Sequence, residues 1–352
     1  LVAQPKRLGF LSCGKHARRS HAISALRLGH KIAAVYDPLP ESVAAMLALA
    51  GPGTEACKSA GELLARTDLD GIIIASLPST HTPLLQKTIK AILSQRRDVN
   101  PAVLCDKPLA VTPAQIDELT YLLYQAESQN IGVMCCFPRS HQAPDLPYGW
   151  AIANLGELTK RFGRLVHVEV AMSYHQIDPS SWKAGEDQSF LLNHWPHEIE
   201  FLLRLLGPHQ LKAARVYNAP ERYMVSGVMG TGKDAVTFTG RGARLLTADH
   251  FEETIFFQFA GGTCQVNTKT GKVLCRDQNT GEEPRWGNLV TPMEPPAYDR
   301  MFDATMAAFV GVMDGDVPPL SAHQLLTVSN SAVVLAEGRN YSYLPQGMAP
   351  VF

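Results

Sequence analysis

The chain has 352 residues, 45% of them hydrophobic and 18% charged, with 32 Lys and Arg against 33 Asp and Glu. That length predicts two domains, each with its own core, and the charge balance excludes a nucleic-acid or polyanion binder. No apolar run reaches the ~20 residues of a membrane span, residues 71–77 being typical of the longest, so no membrane partner is expected. Residues 1–7 lack the apolar core of a signal peptide. The seven cysteines form no C-x-x-C and mostly sit in or beside apolar runs, which reads as buried thiols of a reducing compartment. A cytoplasmic protein is expected.

Residues 8–11 read as a strand, followed by a glycine-containing turn and a helix over 17–28 with Ile23 and Leu26 on one face and Gly29 as its stop. Residues 32–36 give a second strand ending at Asp37-Pro38, and a helix over 41–50 is broken by Gly51-Pro52-Gly53. A short helix over 61–66 precedes the continuous apolar run 71–75, which has the character of a fully buried strand. Thr82-Pro83 reads as an N-cap with proline at the first helical position, starting a helix that runs to Leu93. After a polar loop at 94–100 come a strand at 102–105, a second cap-plus-proline signal at Thr112-Pro113 with a helix to Ser128, and a strand at 131–136. Strands joined in order by helical crossovers predict a Rossmann-type α/β domain over 1–140.

The pattern changes after Phe137. Alternating runs at 165–172, 211–217, 224–229, 235–239, 245–248, 253–259 and 263–267 predict an open, mostly antiparallel sheet. One strong helix, 196–206, is embedded among them, and a helical pair at 298–313 and 322–337 closes the chain. The second domain, 141–352, is therefore an α+β unit for substrate binding and oligomerisation, its C-terminal helices available to pack back on the first domain. Apolar residues fall on both faces of 165–172 and 253–259, so a homo-oligomer built sheet to sheet, a dimer or tetramer, is expected.

Ser12-Cys13-Gly14-Lys15-His16-Ala17 lies between the first strand and helix, where backbone N–H groups and a helix N-terminus receive a dinucleotide pyrophosphate. Ser12 replaces the usual first glycine, and is accommodated if its φ stays negative. Asp37 ends the second strand 25 residues after Ser12, the place of a ribose-binding carboxylate. An acid there repels a 2′-phosphate and Pro38 follows it rather than Arg, so NAD is favoured; Lys15, Arg18 and Arg19 leave room for NADP. Cys105-Asp106-Lys107-Pro108 ends a parallel strand, where a desolvated lysine is suited to proton transfer or to polarising an oxygen.

These features, with the loop Ala75-Ser76-Leu77-Pro78-Ser79-Thr80-His81 and the continuation Leu109-Ala110, resemble the Gfo/Idh/MocA oxidoreductase family, which reads (E/D)-K-P-(L/M)-(A/S) at this point. The resemblance runs through 187–206 and 298–337. It implies a hydride moving between a nicotinamide and a carbinol carbon of a sugar, polyol or cyclitol, a small carbohydrate-like substrate. Lys107 would orient the reacting oxygen, His197 would exchange its proton, Asp106 would hold the nicotinamide ribose, and Ser76, Leu77, Pro78 and His81 would line the cofactor. The family's D-x-x-x-H-x-x-D segment is here Asn193-His194-Trp195-Pro196-His197-Glu198-Ile199-Glu200, so Asn193 can hydrogen-bond substrate but supplies no charge. Asn193, His194, Arg139, Tyr174 and Trp182 are the candidate substrate contacts.

No metal is expected: Pro196 reads as a helix start between His194 and His197, which need then share no face, and no third ligand has suitable spacing. Residues 227–234 nearly match a P-loop, but Asp234 replaces its Ser/Thr and the segment reads as a hairpin turn. Cys135-Cys136 read as inert buried thiols. Two other readings accompany the dehydrogenase: a cofactor-binding sensor or partner subunit without turnover, motivated by Ser12 and Asn193, and an imine-reducing or eliminating enzyme on the same fold.

Overall fold

In the computed structural model, which describes residues 4–95, 100–175, 190–207, 211–219, 222–245, 252–278, 280, 290–292 and 297–342, the chain divides into two compact units. The first comprises Leu1–His141 with Tyr298–Asn330, and the second Gln142–Ala297 with Ser331–Phe352.

Six strands form the parallel sheet of the first unit: β1 (Arg7–Leu11), β2 (Lys31–Tyr36), β3 (Glu55–Ala56), β4 (Gly71–Ile74), β5 (Ala102–Cys105) and β6 (Val133–Cys135). Their order is β3-β2-β1-β4-β5-β6, so the winding reverses between β1 and β4, the place where dinucleotides bind in a doubly wound sheet. Every expected strand is present, and β3, too short for a periodic signal, is added. The crossovers are α1 (Ile23–Arg27, continuing a π-helical stretch Ala17–Ala22), α2 (Pro40–Ala50), α3 (Ala60–Leu64), α4 (Pro78–Ser94) and α5 (Pro113–Ser128). Gly29 at φ 83° and Gly51 at φ 79° end α1 and α2 in the backbone region that glycine enters without a Cβ penalty. The first helix buries Ala17, His21, Ala22 and Ala25 rather than Ile23, because the π-turn rotates its face.

The expected start of α4 at Pro83 is wrong. The helix begins at Pro78, and Pro83 lies inside it. Proline there deprives the Ser79 carbonyl of its helical N–H, but the Gln115 side-chain amide donates to that oxygen at 3.1 Å. Thr82, expected as a cap, is buried and donates to the Leu109 carbonyl at 2.6 Å. The matching signal at Thr112 holds: its hydroxyl accepts from Gln115 N at 3.3 Å, with Pro113 in the first turn.

In the second unit α6 (Pro147–Phe162) was not expected from the sequence. Its first turn is capped from a distance, Gln142 Oε1 accepting from Tyr148 N at 2.9 Å, so no Ser, Thr, Asp or Asn marks it. β7 (Leu165–His175) follows, then α7 (Phe190–Leu206), β8 (Leu211–Ala219), β9 (Arg222–Met229), β10 (Val236–Leu245), β11 (Glu252–Phe259), β12 (Gly262–Asn267) and β13 (Val273–Asp277). α8 (Ala297–Met313), α9 (Ala322–Ala336) and β14 (Tyr341–Ser342) complete the described chain. The eight-stranded sheet runs β13-β12-β11-β7-β10-β9-β8-β14, antiparallel except for the β7–β10 pair. The two runs expected at 235–239 and 245–248 are one strand as far as Leu245, residues 246–248 lying outside the described residues. Gly240 and Gly242 do not break it: a Cβ at Gly242 would stand 2.5 Å from the Tyr223 ring and 2.9 Å from the Phe190 ring, so glycine admits aromatic side chains to the sheet. The near-P-loop segment is the connection between β9 and β10, as expected, with a short 3₁₀ turn at Gly232–Asp234.

α7 also starts earlier than expected, at Phe190, with Pro196 in its interior. The apolar face Phe190, Leu191, Trp195, Ile199 and Leu202 runs unbroken past the proline, and tertiary packing overrides the local break. Trp195 packs at 5.7 Å between ring centroids on Phe238, and its indole N–H donates to Ser331 Oγ at 3.2 Å. In the first unit α8 lies close to the sheet, Phe302, Met306, Phe309 and Val312 joining the cluster of Leu8, Phe10 and Ile73. Gly71 is required for that approach, since a Cβ would stand 2.7 Å from Met313 Sδ. Among the described residues no helix is long and apolar enough to cross a membrane.

Candidate active site

The β1 turn carries the first group of candidate residues. Ser12 is in the left-handed region at φ 110°, contrary to the expected negative φ, so a serine occupies a conformation suited to glycine. Its N–H donates to the Tyr36 carbonyl at 2.9 Å, which fixes the turn against the end of β2. Cys13 is fully buried, and burial together with the neighbouring Asp37 carboxylate pushes its thiol up to about 12. The Arg18 guanidinium donates to the Cys13 carbonyl. Lys15 and His16 are exposed at the helix start.

Asp37 closes this turn. Its Oδ2 accepts from Cys13 N at 2.7 Å and from Ser12 Oγ at 3.4 Å, while Oδ1 accepts from Leu39 N at 2.9 Å. A carboxylate has about four acceptor sites, so capacity for ribose hydroxyls is left. A Cβ added to Gly14 would meet nothing nearer than Ser12 Oγ at 3.8 Å, so the backbone of the turn is open to a diphosphate. These residues fit a dinucleotide.

At the C-terminal end of β5, Asp106 is buried and faces two histidines: His21 Nε2 at 2.8 Å from Oδ1, and His16 Nε2 at 3.5 Å from Oδ2. Burial alone would raise this carboxyl, but the charges of His21 and His16 hold it below the usual carboxylate range. His21 was missed from the sequence, because five-residue spacing aligns two side chains only where the helix bonds i to i+5, as the Ala17–Ala22 stretch does. His16, His21 and Asp106 offer ligand atoms all within 4.8 Å of one another, and form the one group among the described residues that could hold a metal ion. The sequence reading weighed only His194 and His197 for that role.

Lys107 follows, half-buried, before a cis peptide bond to Pro108. His81 has a different place from the one expected of a cofactor contact. Its ring is 1% exposed, with Nδ1 2.8 Å from the Pro108 carbonyl and Nε2 3.1 Å from that of Ser76, so it ties the two loops together. Burial lowers its pKa, against the raising effect of Asp106 and of the two carbonyls. Ser76 Oγ meets Thr80 Oγ1 at 2.7 Å, Leu77 is 44% exposed at the helix start, and Pro78 is buried in the first turn. Arg139, in a 3₁₀ turn after β6, is buried.

In the second unit Asn193, His194 and His197 are half-buried positions of one helix, α7, rather than residues divided by a helix start. Asn193 and His197 are four residues apart and share a face. Glu198 and Glu200 are 1% exposed, and the Tyr223 hydroxyl donates to Glu198 Oε1. The sequence held no signal for that pair, which joins a helix to a strand. Tyr174, expected in a loop, belongs to β7 opposite Arg244, and Trp182 lies outside the described residues.

A parallel sheet in the order 3-2-1-4-5-6, a turn open at Gly14 and an acid at the end of β2 define a dinucleotide-binding Rossmann unit. Residues 6–133 match the model of the oxidoreductase family with NAD-binding Rossmann fold, Gfo/Idh/MocA. No curated protein sequence matches the chain. Among solved structures it is similar to scyllo-inositol dehydrogenase from Lactobacillus casei with bound NAD(H) and scyllo-inositol, at TM-score 0.74 and 13% identity over 96% of this chain and 99% of that one. A myo-inositol dehydrogenase from Corynebacterium glutamicum gives TM-score 0.72 and 17% identity over 97% and 100% of the two chains. An oxidoreductase domain protein from Kribbella flavida gives 0.75 and 15% over 97% and 99%. At these identities the likeness is one of fold, and it extends through both units.

Proposed function

We propose that the protein is an NAD-preferring dehydrogenase that interconverts a secondary alcohol and a ketone on a polyol or cyclitol. The observation that carries this reading is the lysine at the end of β5, directly after the Asp106 carboxylate and on the sheet edge that holds the dinucleotide turn. The fold shared with a scyllo-inositol dehydrogenase that binds NAD(H) and its cyclitol supports the substrate class.

When bound, the nicotinamide supplies the hydride acceptor in oxidation and the donor in reduction. The turn from Ser12 to His16 binds the diphosphate, and Asp37 takes the adenine-side ribose hydroxyls. Asp106, kept ionised by His21, fixes the ring end of the turn. Lys107 donates a hydrogen bond to the reacting oxygen and stabilises negative charge there, and His197 exchanges the hydroxyl proton. Asn193 hydrogen-bonds a neighbouring hydroxyl, and the polar surface of α7 offers His194 as a further contact.

The test is NADH formation or consumption over a panel of inositols, aldoses, ketoses and keto-sugars. Lys107→Met and His197→Ala should each lower turnover ~10²-fold or more, with NADH affinity little changed. Parent-like rates in both variants would refute these roles. Tight NADH binding with no turnover on any panel member would favour a sensor.

A further inference from the structure

Two of the seven cysteines stand apart from the proposed active site. Cys264 on β12 and Cys275 on β13 are directly opposite one another, both fully buried, with their sulfurs 2.7 Å apart. The ladder fixes what kind of pair this is. Asn267 N donates to the Lys272 carbonyl and Gln278 N to that of Gly261, so the hydrogen-bonded pairs fall at odd-numbered residues of β12. By alternation Cys264 and Cys275 occupy a non-hydrogen-bonded pair, in which α-carbons are about 4.5 Å apart and side chains converge. That spacing lies inside the range a disulfide spans, about 4.4–6.8 Å. Cys135 and Cys136, by contrast, are successive residues whose side chains point to opposite sides of the chain.

We propose that Cys264 and Cys275 are an oxidisable dithiol, closed to a cross-strand disulfide by hydrogen peroxide, an oxidant small enough for a buried pair. β13 is the edge strand of the sheet, so opening it exposes the sulfurs without disturbing the centre. The shared proton and the nearby Arg161 charge both favour the thiolate at Cys275, while Cys264 keeps the thiol. Cys275 sulfur attacks one peroxide oxygen and the O–O bond breaks, giving the sulfenic acid and a hydroxide that takes up a proton to leave as the first water. Cys264 sulfur then attacks Cys275 sulfur, its proton goes to the departing hydroxyl, and water is lost. Two thiols are oxidised and one peroxide is reduced to two waters. The product links the edge strand covalently to its neighbour.

The full chain, treated with hydrogen peroxide, alkylated under denaturing conditions and digested with trypsin, reports directly, because Lys269 and Lys272 lie between the two cysteines. The expected result is a pair of peptides joined through Cys264 and Cys275, two hydrogens lighter than the separate peptides, with the other five cysteines alkylated. Oxidation should also raise the thermal midpoint by several degrees in the parent and not in Cys264→Ala or Cys275→Ala. Two fully alkylated residues, at peroxide levels that convert free glutathione, would overturn the proposal. So would Cys275 sulfinic acid without a link, or a link to another cysteine.

Discussion

His21 Nε2 stands 2.8 Å from Asp106 Oδ1, a contact between the first crossover helix and the end of β5 that exists because one stretch of that helix is π-helical. With α-helical bonding throughout, His16 and His21 would point to different sides, and the carboxylate would face one histidine instead of two.

The pair makes stability depend on pH in a defined direction. Asp106 has a folded pKa below its unfolded value, so its contribution is complete above the ordinary carboxylate range and is lost as pH falls through it. Asp106→Asn should cost about 3 kcal/mol at pH 7, the scale for breaking a buried pair. Urea denaturation at pH 7 and in a series below pH ~4 should show this difference shrinking as acid protonates the parent. A constant difference across the series would mean that packing, not charge, is lost.

Ser12 at φ 110° is a strained residue. Ser12→Gly should stabilise the protein by about 1 kcal/mol, since glycine enters this region freely. NADH affinity should stay within a few-fold, because the backbone amides remain in place. A destabilised glycine variant would show that the Ser12 hydroxyl, 3.4 Å from Asp37, outweighs the strain.

Asp37 holds the Cys13 N–H, and its carboxylate at the end of β2 would repel a 2′-phosphate. NADH should therefore bind more tightly than NADPH, and Asp37→Ala should narrow the gap while weakening both. Energy transfer from protein to reduced cofactor measures each affinity. Tighter NADPH binding in the parent would overturn the assignment.

The open face of the second unit's sheet bears Tyr217 and Met224, directly opposite each other and about half exposed, with Leu274 farther along. α6 and α7 cover the other face, where Phe259 and Tyr223 pack on Phe162 and Phe190. A second copy seated on this face would give a dimer, and Met224→Glu should shift it towards monomer by burying a charge. Light scattering at micromolar concentration distinguishes the two, and a monomeric parent would end the idea.

The sequence made the first unit legible because its strands are buried on both faces and its helices carry local stop signals, as at Gly29 and Gly51. Thr112-Pro113 was readable because cap and helix are adjacent. Pro83 and Pro196 misled for the opposite reason. What lets each helix continue is remote: Gln115 serving the Ser79 carbonyl, and an apolar face packed on a distant sheet. α6 was silent because its cap, Gln142, lies outside the usual cap position. In the candidate site, residues at strand ends such as Asp37 and Lys107 follow from topology. His21 and Glu198 do not, since their partners are fixed by a helical irregularity and by a strand far along the chain.

The parallel pairing of β7 with β10 sets a timetable for synthesis. Val168 of β7 is matched to Phe238, 70 residues later, and on its other side Val170 is matched to Ile255. β8, β9 and β10 form a local meander, as do β11, β12 and β13, but β7 is the seam between them and neither neighbour exists when it is made. At about 5–20 residues per second, the wait for β10 lasts roughly 4–14 s. For that interval an eleven-residue strand stands with both edges unpaired, so one of the two central strands of the finished sheet is the segment of the nascent chain most in need of protection.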